Sequence, residues 1–278
     1  MADDRPTSAG MTTRVLSRLG QGALEVLALV GGTFKLTSTV SRWYWRSSTQ
    51  PTVRLGRPAV VAQMVRVGVR SISIVLIVSG CIGLILAMAM YPALAELGQQ
   101  SKIANIVAIA VFREMGPIIS AVVLTGFAGA SIAAELGTMV VGEEIEALEA
   151  HALDPVRFLV LPRMTATAVS LVLLTILADV IAVTCSWAVC LLFFDVSSSV
   201  YIDNTLAQLN LSDFLTGMAK AVTFGLMLGA IACFNGLRVS GGAAGVGKAT
   251  TDTVVQGIVG IIIADLLFTA VFLRLGWT

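Results

Sequence analysis

A few ionisable side chains stand inside an otherwise apolar sequence, and they set the chemistry open to this chain. Asp179 in "ILADVIA" and Asp265 in "IIADLLF" each lie within a long apolar run. A charge in lipid costs at least about 2.5 kcal/mol, so such groups face a partner or a cavity. Two intramembrane carboxyls could relay protons or hydrolyse peptides, but the Gly-x-Gly-Asp context of intramembrane aspartyl proteases is absent. Protonated or helix-bonded carboxyls that fix packing are the plainer reading. Arg113 and Glu114 in "FREMGP" and Lys220 in "GMAKAV" stand toward the ends of apolar runs. Charges so placed can meet a lipid headgroup, line the mouth of a cavity, or snorkel outward.

A second group is acidic and regular. In "GEEIEALEAHALDP", Ile145, Leu148 and Ala152 fall at i, i+3 and i+7, which draws one apolar stripe along a short helix. Glu143, Glu144, Glu146 and Glu149 cover its other faces, early carboxylates suit a helix N-terminus, and Pro155 follows its end. Such a helix can dock into a groove on a soluble partner or simply be solvated.

Other chemistries find little support. His151 is the single histidine and has no serine, cysteine or ligand pattern around it, so neither metal nor nucleophilic catalysis is expected. Cys81, Cys185, Cys190 and Cys233 lie singly in apolar runs and read as small buried hydrophobes. "GGAAGVGKAT" nearly spells a phosphate-binding loop, but Ala249 replaces the magnesium-holding Ser or Thr and the flanks are apolar helices rather than a strand and a helix. A flexible, weakly basic loop is expected there. A net charge of only +1 argues against a nucleic-acid partner.

The elements that position these residues follow from composition. With 56% hydrophobic and 13% charged residues among 278, the chain reads as an all-α polytopic membrane protein. Five spans are expected: Ser71 to Tyr91, one within Ile103 to Val141, Met164 to Phe194, Phe214 to Asn235, and Thr253 to Leu275. The second window is too long for one straight helix, and "FREMGP" predicts a surface helix, a break, and a span proper from about Pro117. Residues 1–13 read as disordered. Residues 14–57 read as an amphipathic interfacial helix ending in Arg42-Trp43-Tyr44-Trp45-Arg46, the alternative being a polar first span. No cleavable signal peptide is expected. Ten of the eighteen Lys and Arg residues precede the first span, which predicts a cytoplasmic N-terminus, cytoplasmic loops at 142–163 and 236–252, and an external C-terminus. Small-residue rows (Gly126, Ala130, Ala134; Gly129, Ala133, Gly137; Gly225, Gly229) predict close helix contacts, within the chain or across a dimer.

The run "REMGPIISAVVLTGFAGASIAAELGTMVVGEEIEALEAHALDPVRFLVLPR", with the later "FNGLRVSGGAAGVGKATTDTVV", resembles the MlaE/YrbE family of permeases. The resemblance covers about residues 60–275 and implies a permease domain over 58–278. It implies the membrane subunit of an ABC-type transporter, paired with a second permease copy in a homodimer or with a homologue, in the inner membrane. The implied cargo is phospholipid or another hydrophobic lipid, exchanged with a periplasmic ring of MCE-domain proteins. A cytoplasmic ATPase dimer would carry ATP and magnesium, a STAS-domain accessory protein could join it, and this chain would hold no cofactor and no catalytic residue. The segment Gly142 to Leu153, with Glu143, Glu144, Ile145, Glu146, Leu148 and Glu149, would be the coupling helix. Arg113, Glu114 and Lys220 match the family's charged positions near the outer opening of the lipid cavity. The rival reading is a proton-coupled secondary transporter that uses Asp179 and Asp265.

Overall fold

The computed structural model describes the backbone of residues 8–49 and 57–276, and every regular element among them is helical. Five helices are long and apolar enough to cross a membrane: Arg57–Glu96, Gln100–Val141, Val156–Phe193, Leu211–Leu237 and Gly242–Leu275. They are taken here as spans one to five. Each covers the expected apolar core, to within one residue at the end of span three, and starts before it, because the backbone keeps its helical hydrogen bonds past the end of the apolar stretch. The short helix Glu144–Ala150 joins spans two and three at one face of the bundle. The helix Ser198–Gln208 joins spans three and four at the opposite face.

Span three is the hub. It contacts spans one, two and four, and its buried face runs from Leu161 to Cys190. Small residues set these distances. Gly225 and Gly229 of span four rest on the backbone of Ala168 and Met164, while Gly129 faces Leu228 and Thr253 of spans four and five and Gly137 faces Val239 in the turn between them. Those rows serve contacts within the chain, whereas Gly126 is open, with nothing near it among the described residues. At the opposite face Tyr201 anchors its short helix by donating a hydrogen bond to Ser186 Oγ at 3.1 Å. Burial pushes its phenol up to about 12, so it stays protonated as a donor at neutral pH.

Four expectations are corrected. The N-terminal helix spans Ser8–Thr49, so residues 8–13 are helical rather than disordered; residues 1–7 and 50–56 lie outside the described residues. Span two does not break at "FREMGP" but continues through a π-turn at Val111–Met115. There the Gly116 N–H reaches back five residues to the Val111 carbonyl, a wider turn that makes room for Pro117. Pro117 offers no N–H to the carbonyls below it. The Phe112 carbonyl is instead met by the Cα of Gly217 on span four, where any Cβ would overlap its oxygen. Third, the segment expected to be a loop from Gly241 to Thr250 is mostly the first turns of span five. Gly241, at φ 85°, makes the left-handed turn into a helix whose Ala and Lys residues favour continuation. Fourth, the acidic helix is shorter than Gly142 to Leu153, because Glu143 and Ala152 take left-handed conformations at its two ends.

Gly225→Leu would drive a side chain into the Ala168 backbone, whose Cα lies 2.6 Å from the position of a Cβ. Overpacking of this kind costs about 1–3 kcal/mol, so the thermal midpoint in detergent should fall by several degrees. Gly126→Ala, made in open space, should leave it unchanged.

Candidate functional site

About 15 Å in from the start of span four, Lys220 is buried to 1% exposure. Its ammonium has three protons to place, and three acceptors surround it. One is Glu114 of span two, another is Asp265 of span five at 2.9 Å, and the third is Thr269 Oγ1 at 2.9 Å. Thr269 in turn donates to Glu114 Oε1 at 3.2 Å. Three spans are thus tied at one depth by a buried cation with two carboxylates, an arrangement that holds only while every partner is present.

Arg113, one residue before Glu114, goes elsewhere. Its guanidinium lies 3.6 Å from Asp213 Oδ1 on span four. Asp213 is held in place by the capping of that span, where its Oδ2 accepts the Asn210 N–H at 3.0 Å. Arg113 lines an open cavity of about 580 Å³ with Gln208, Asn210, Leu211 and Leu215. It also lines the narrow crevice that leads to Glu114, Lys220 and Phe272. Arg113 therefore stands between the cavity and the buried cluster.

Asp179 does not join this cluster. It is fully buried on span three, and its Oδ1 occupies the space that a Cβ on Gly116 would need. Gly116 faces span three while Glu114 faces spans four and five, so the two intramembrane aspartates lie on opposite flanks of span two. Asp265, read from sequence as a helix-bonded or neutral carboxyl, is instead an ion-pair partner of Lys220.

At the other face, Glu135 near the end of span two bridges two arginines. Arg66 of span one is 2.7 Å from its Oε2, and Arg163 of span three is 2.9 Å from its Oε1. The acidic helix follows within a few residues. Glu143, Glu144, Glu146 and Glu149 are exposed, whereas Ile145 and Leu148 are half-buried. Asp154 closes the loop behind it: Oδ1 accepts the Val156 N–H at 2.9 Å, and Oδ2 accepts Trp43 Nε1–H at 2.9 Å. Arg157 stacks over the Trp43 ring at 5.1 Å, so the N-terminal helix is pinned beside the acidic helix.

Sequence reasoning grouped Arg113, Glu114 and Lys220 through the family resemblance and set Asp265 apart from them with Asp179. It missed Glu135, Arg163, Asp213, Thr269 and the Trp43–Asp154 contact. The rule that singled out Asp179, a charge within a helix of spanning length, also applies to Glu135 in "AAELG". Thr269 and Trp43 carry no such signal.

The family described as Permease MlaE matches residues 60–271. A "Probable ABC transporter permease protein" of Rickettsia prowazekii is 33% identical over 215 residues, covering 77% of this chain and 83% of that protein. "Protein TRIGALACTOSYLDIACYLGLYCEROL 1, chloroplastic" of Arabidopsis thaliana is 29% identical over 246 residues, covering 88% of this chain and 67% of that one. A "Probable ABC transporter permease protein ycf63" of Pyropia yezoensis is 30% identical over 235 residues, covering 84% and 89%.

Removing the ammonium with Lys220→Met would leave Glu114 and Asp265 facing each other without a cation. Breaking a buried pair in this way costs about 3 kcal/mol, seen as a lower thermal midpoint in detergent. The triple variant Lys220→Met, Glu114→Gln, Asp265→Asn should recover most of that loss.

Proposed function

The chain belongs to the MlaE permease family, and from that premise we propose that it is the membrane subunit of an ABC-type transporter that moves phospholipid or another hydrophobic lipid. The observation that carries this reading is the Arg113-lined cavity beside the braced Lys220 cluster, on a chain of that family. A relative named for a galactolipid supports a lipid cargo. On this reading the chain sits in the inner membrane with its N-terminus in the cytoplasm. The cavity opens toward a periplasmic MCE-domain partner, and a second copy of the chain completes the lipid path. A STAS-domain protein is a further partner of the cytoplasmic assembly.

The work is mechanical. A cytoplasmic ATPase dimer, which carries the ATP and magnesium, grips the acidic helix through its four exposed carboxylates. Ile145 and Leu148, half-buried against the chain itself, hold the helix to span two as well as offering an apolar edge. Movement of the helix passes along span two to Glu114 and Arg113. Arg113 meets the lipid headgroup first, since its guanidinium lines the cavity. Lys220 is hydrogen-bonded to Glu114 and Thr269 and ion-paired to Asp265, so it contacts lipid only when one of these partners gives way. Such an exchange would let lipid binding and helix movement bias one another.

The proton-coupled alternative needs Asp179 and Asp265 to act together. Their separation on opposite flanks of span two gives it no support.

Two measurements test the proposal. Glu144→Lys, Glu146→Lys and Glu149→Lys together reverse an exposed charge without touching the core, and co-purification of the ATPase in detergent should be lost; full retention would remove the docking role. Arg113→Ala should lower the phospholipid that co-purifies with the chain, quantified by mass spectrometry. Unchanged lipid would return Arg113 to a structural role on Asp213.

A further inference from the structure

The face that bears the acidic helix holds a second, smaller crevice that the transport reading leaves unused. It lies between spans one and two and is small, with about 30 Å³ of accessible space behind an open mouth. Gln63, Arg66 and Arg70 of span one line it, spaced i, i+3 and i+7 so that they share one helix face. Phe127, Ser131 and Glu135 of span two form the facing wall.

The electrostatics are one-sided. Arg66 and Arg163 share the single carboxylate of Glu135, and Arg70 has no carboxylate within ion-pair distance among the described residues. Three guanidiniums against one carboxylate leave an excess of two positive charges at a site only partly open to water. Gln63 adds a buried amide oxygen with no hydrogen-bond partner. The two ends of an amide are interchangeable by a flip, so it can equally present its NH₂ to an anion. Ser131 is exposed at the rim with its hydroxyl free to donate.

Position and rim identify the anion. Arg70 is the last charge before a run without any charge from Ser71 to Ala95, which places the two arginines where a bilayer changes from headgroup to acyl chain. Phe127 beside them is 42% exposed, and Val69, Ile74 and Ile77 expose further apolar surface on the same span. A planar, multiply donating cation pair suits a phosphate oxyanion, and an apolar border suits a molecule with chains attached to that phosphate.

We propose that Arg66, Arg70, Gln63 and Ser131 form a binding site for a phosphate oxyanion, and that its source is the headgroup of a phospholipid in the leaflet on the acidic-helix side. The site lies at the opposite end of the bundle from the Arg113 cavity. Its binding stands independently of the transport reading, and only its use as the loading or delivery end of a lipid path rests on that reading.

The test uses the full chain purified with whatever partners accompany it, in detergent, with native mass spectrometry of bound lipid. Phosphatidylglycerol and diacylglycerol of matched chains are the lipid probes, and inorganic phosphate is the soluble one. Arg70→Gln with Ser131→Ala leaves the Arg66–Glu135–Arg163 ladder in place, so folding should survive; an unchanged thermal midpoint confirms it. Phosphatidylglycerol retention should fall about fivefold for the lost cation, with diacylglycerol unaffected and millimolar phosphate failing to displace the lipid. Wild-type retention by this variant would overturn the site. Displacement by inorganic phosphate, sensitive to the same variant, would overturn the lipid as its source. Arg113→Ala separates the two readings: loss there with none in Arg70→Gln and Ser131→Ala sinks this site and keeps the outer cavity, and the converse sinks the cavity and keeps this site.

Discussion

The ammonium of Lys220 cannot sit alone in the interior of a membrane bundle, and much of the architecture around it follows from that constraint. Its charge needs Glu114 and Asp265 and its protons also need Thr269, so these three must arrive together, which fixes the register of spans two, four and five against one another. Span two meets this demand through the π-turn at Val111–Met115. That turn lets adjacent residues serve different partners, Glu114 the buried lysine and Arg113 the cavity. It also lets Gly116 and Gly217 bring spans three and four against the same turn. A buried ion pair is a poor source of stability but an effective determinant of register, and here the register is what places Arg113 at the cavity.

The two ends of the bundle are linked by one helix. From Glu114 to Val141 span two runs about 40 Å, passing Glu135 before it reaches the acidic helix. Glu135 binds span one through Arg66 and span three through Arg163, so a push on the acidic helix is shared by three spans from the outset. The N-terminal helix adds a further restraint through Trp43 and Asp154. On the proposed reading, this chain's contribution to transport is the conversion of movement at exposed carboxylates into altered bonding around Lys220. Neither end requires a catalytic group.

The spans were legible because a backbone in lipid must be helical for about 20 apolar residues, and five such runs are plain in the sequence. The packing role of the rows Gly129, Ala133, Gly137 and Gly225, Gly229 was legible as well, although whether they served one chain or two was not. Harder to read was anything that depends on which faces meet. Lys220 and Asp265 each stood out alone, and nothing in their local sequence says that they pair. Pro117 was read as the start of a new helix after a break, because proline suits a first helical turn, whereas a π-turn carries the helix through it. "GGAAGVGKAT" was read as a loop from its glycines, but only Gly241 and Gly242 adopt positive φ, and the rest continues as helix. Glu135 was overlooked because its surroundings read as a packing stripe.

The central claim, ATP-driven lipid movement through this chain, is tested most directly by reconstituting the chain in liposomes with the ATPase proposed to drive it and following transfer of a labelled phospholipid. The account predicts transfer that needs ATP and is indifferent to an imposed pH gradient. Transfer that follows the pH gradient without ATP would contradict it.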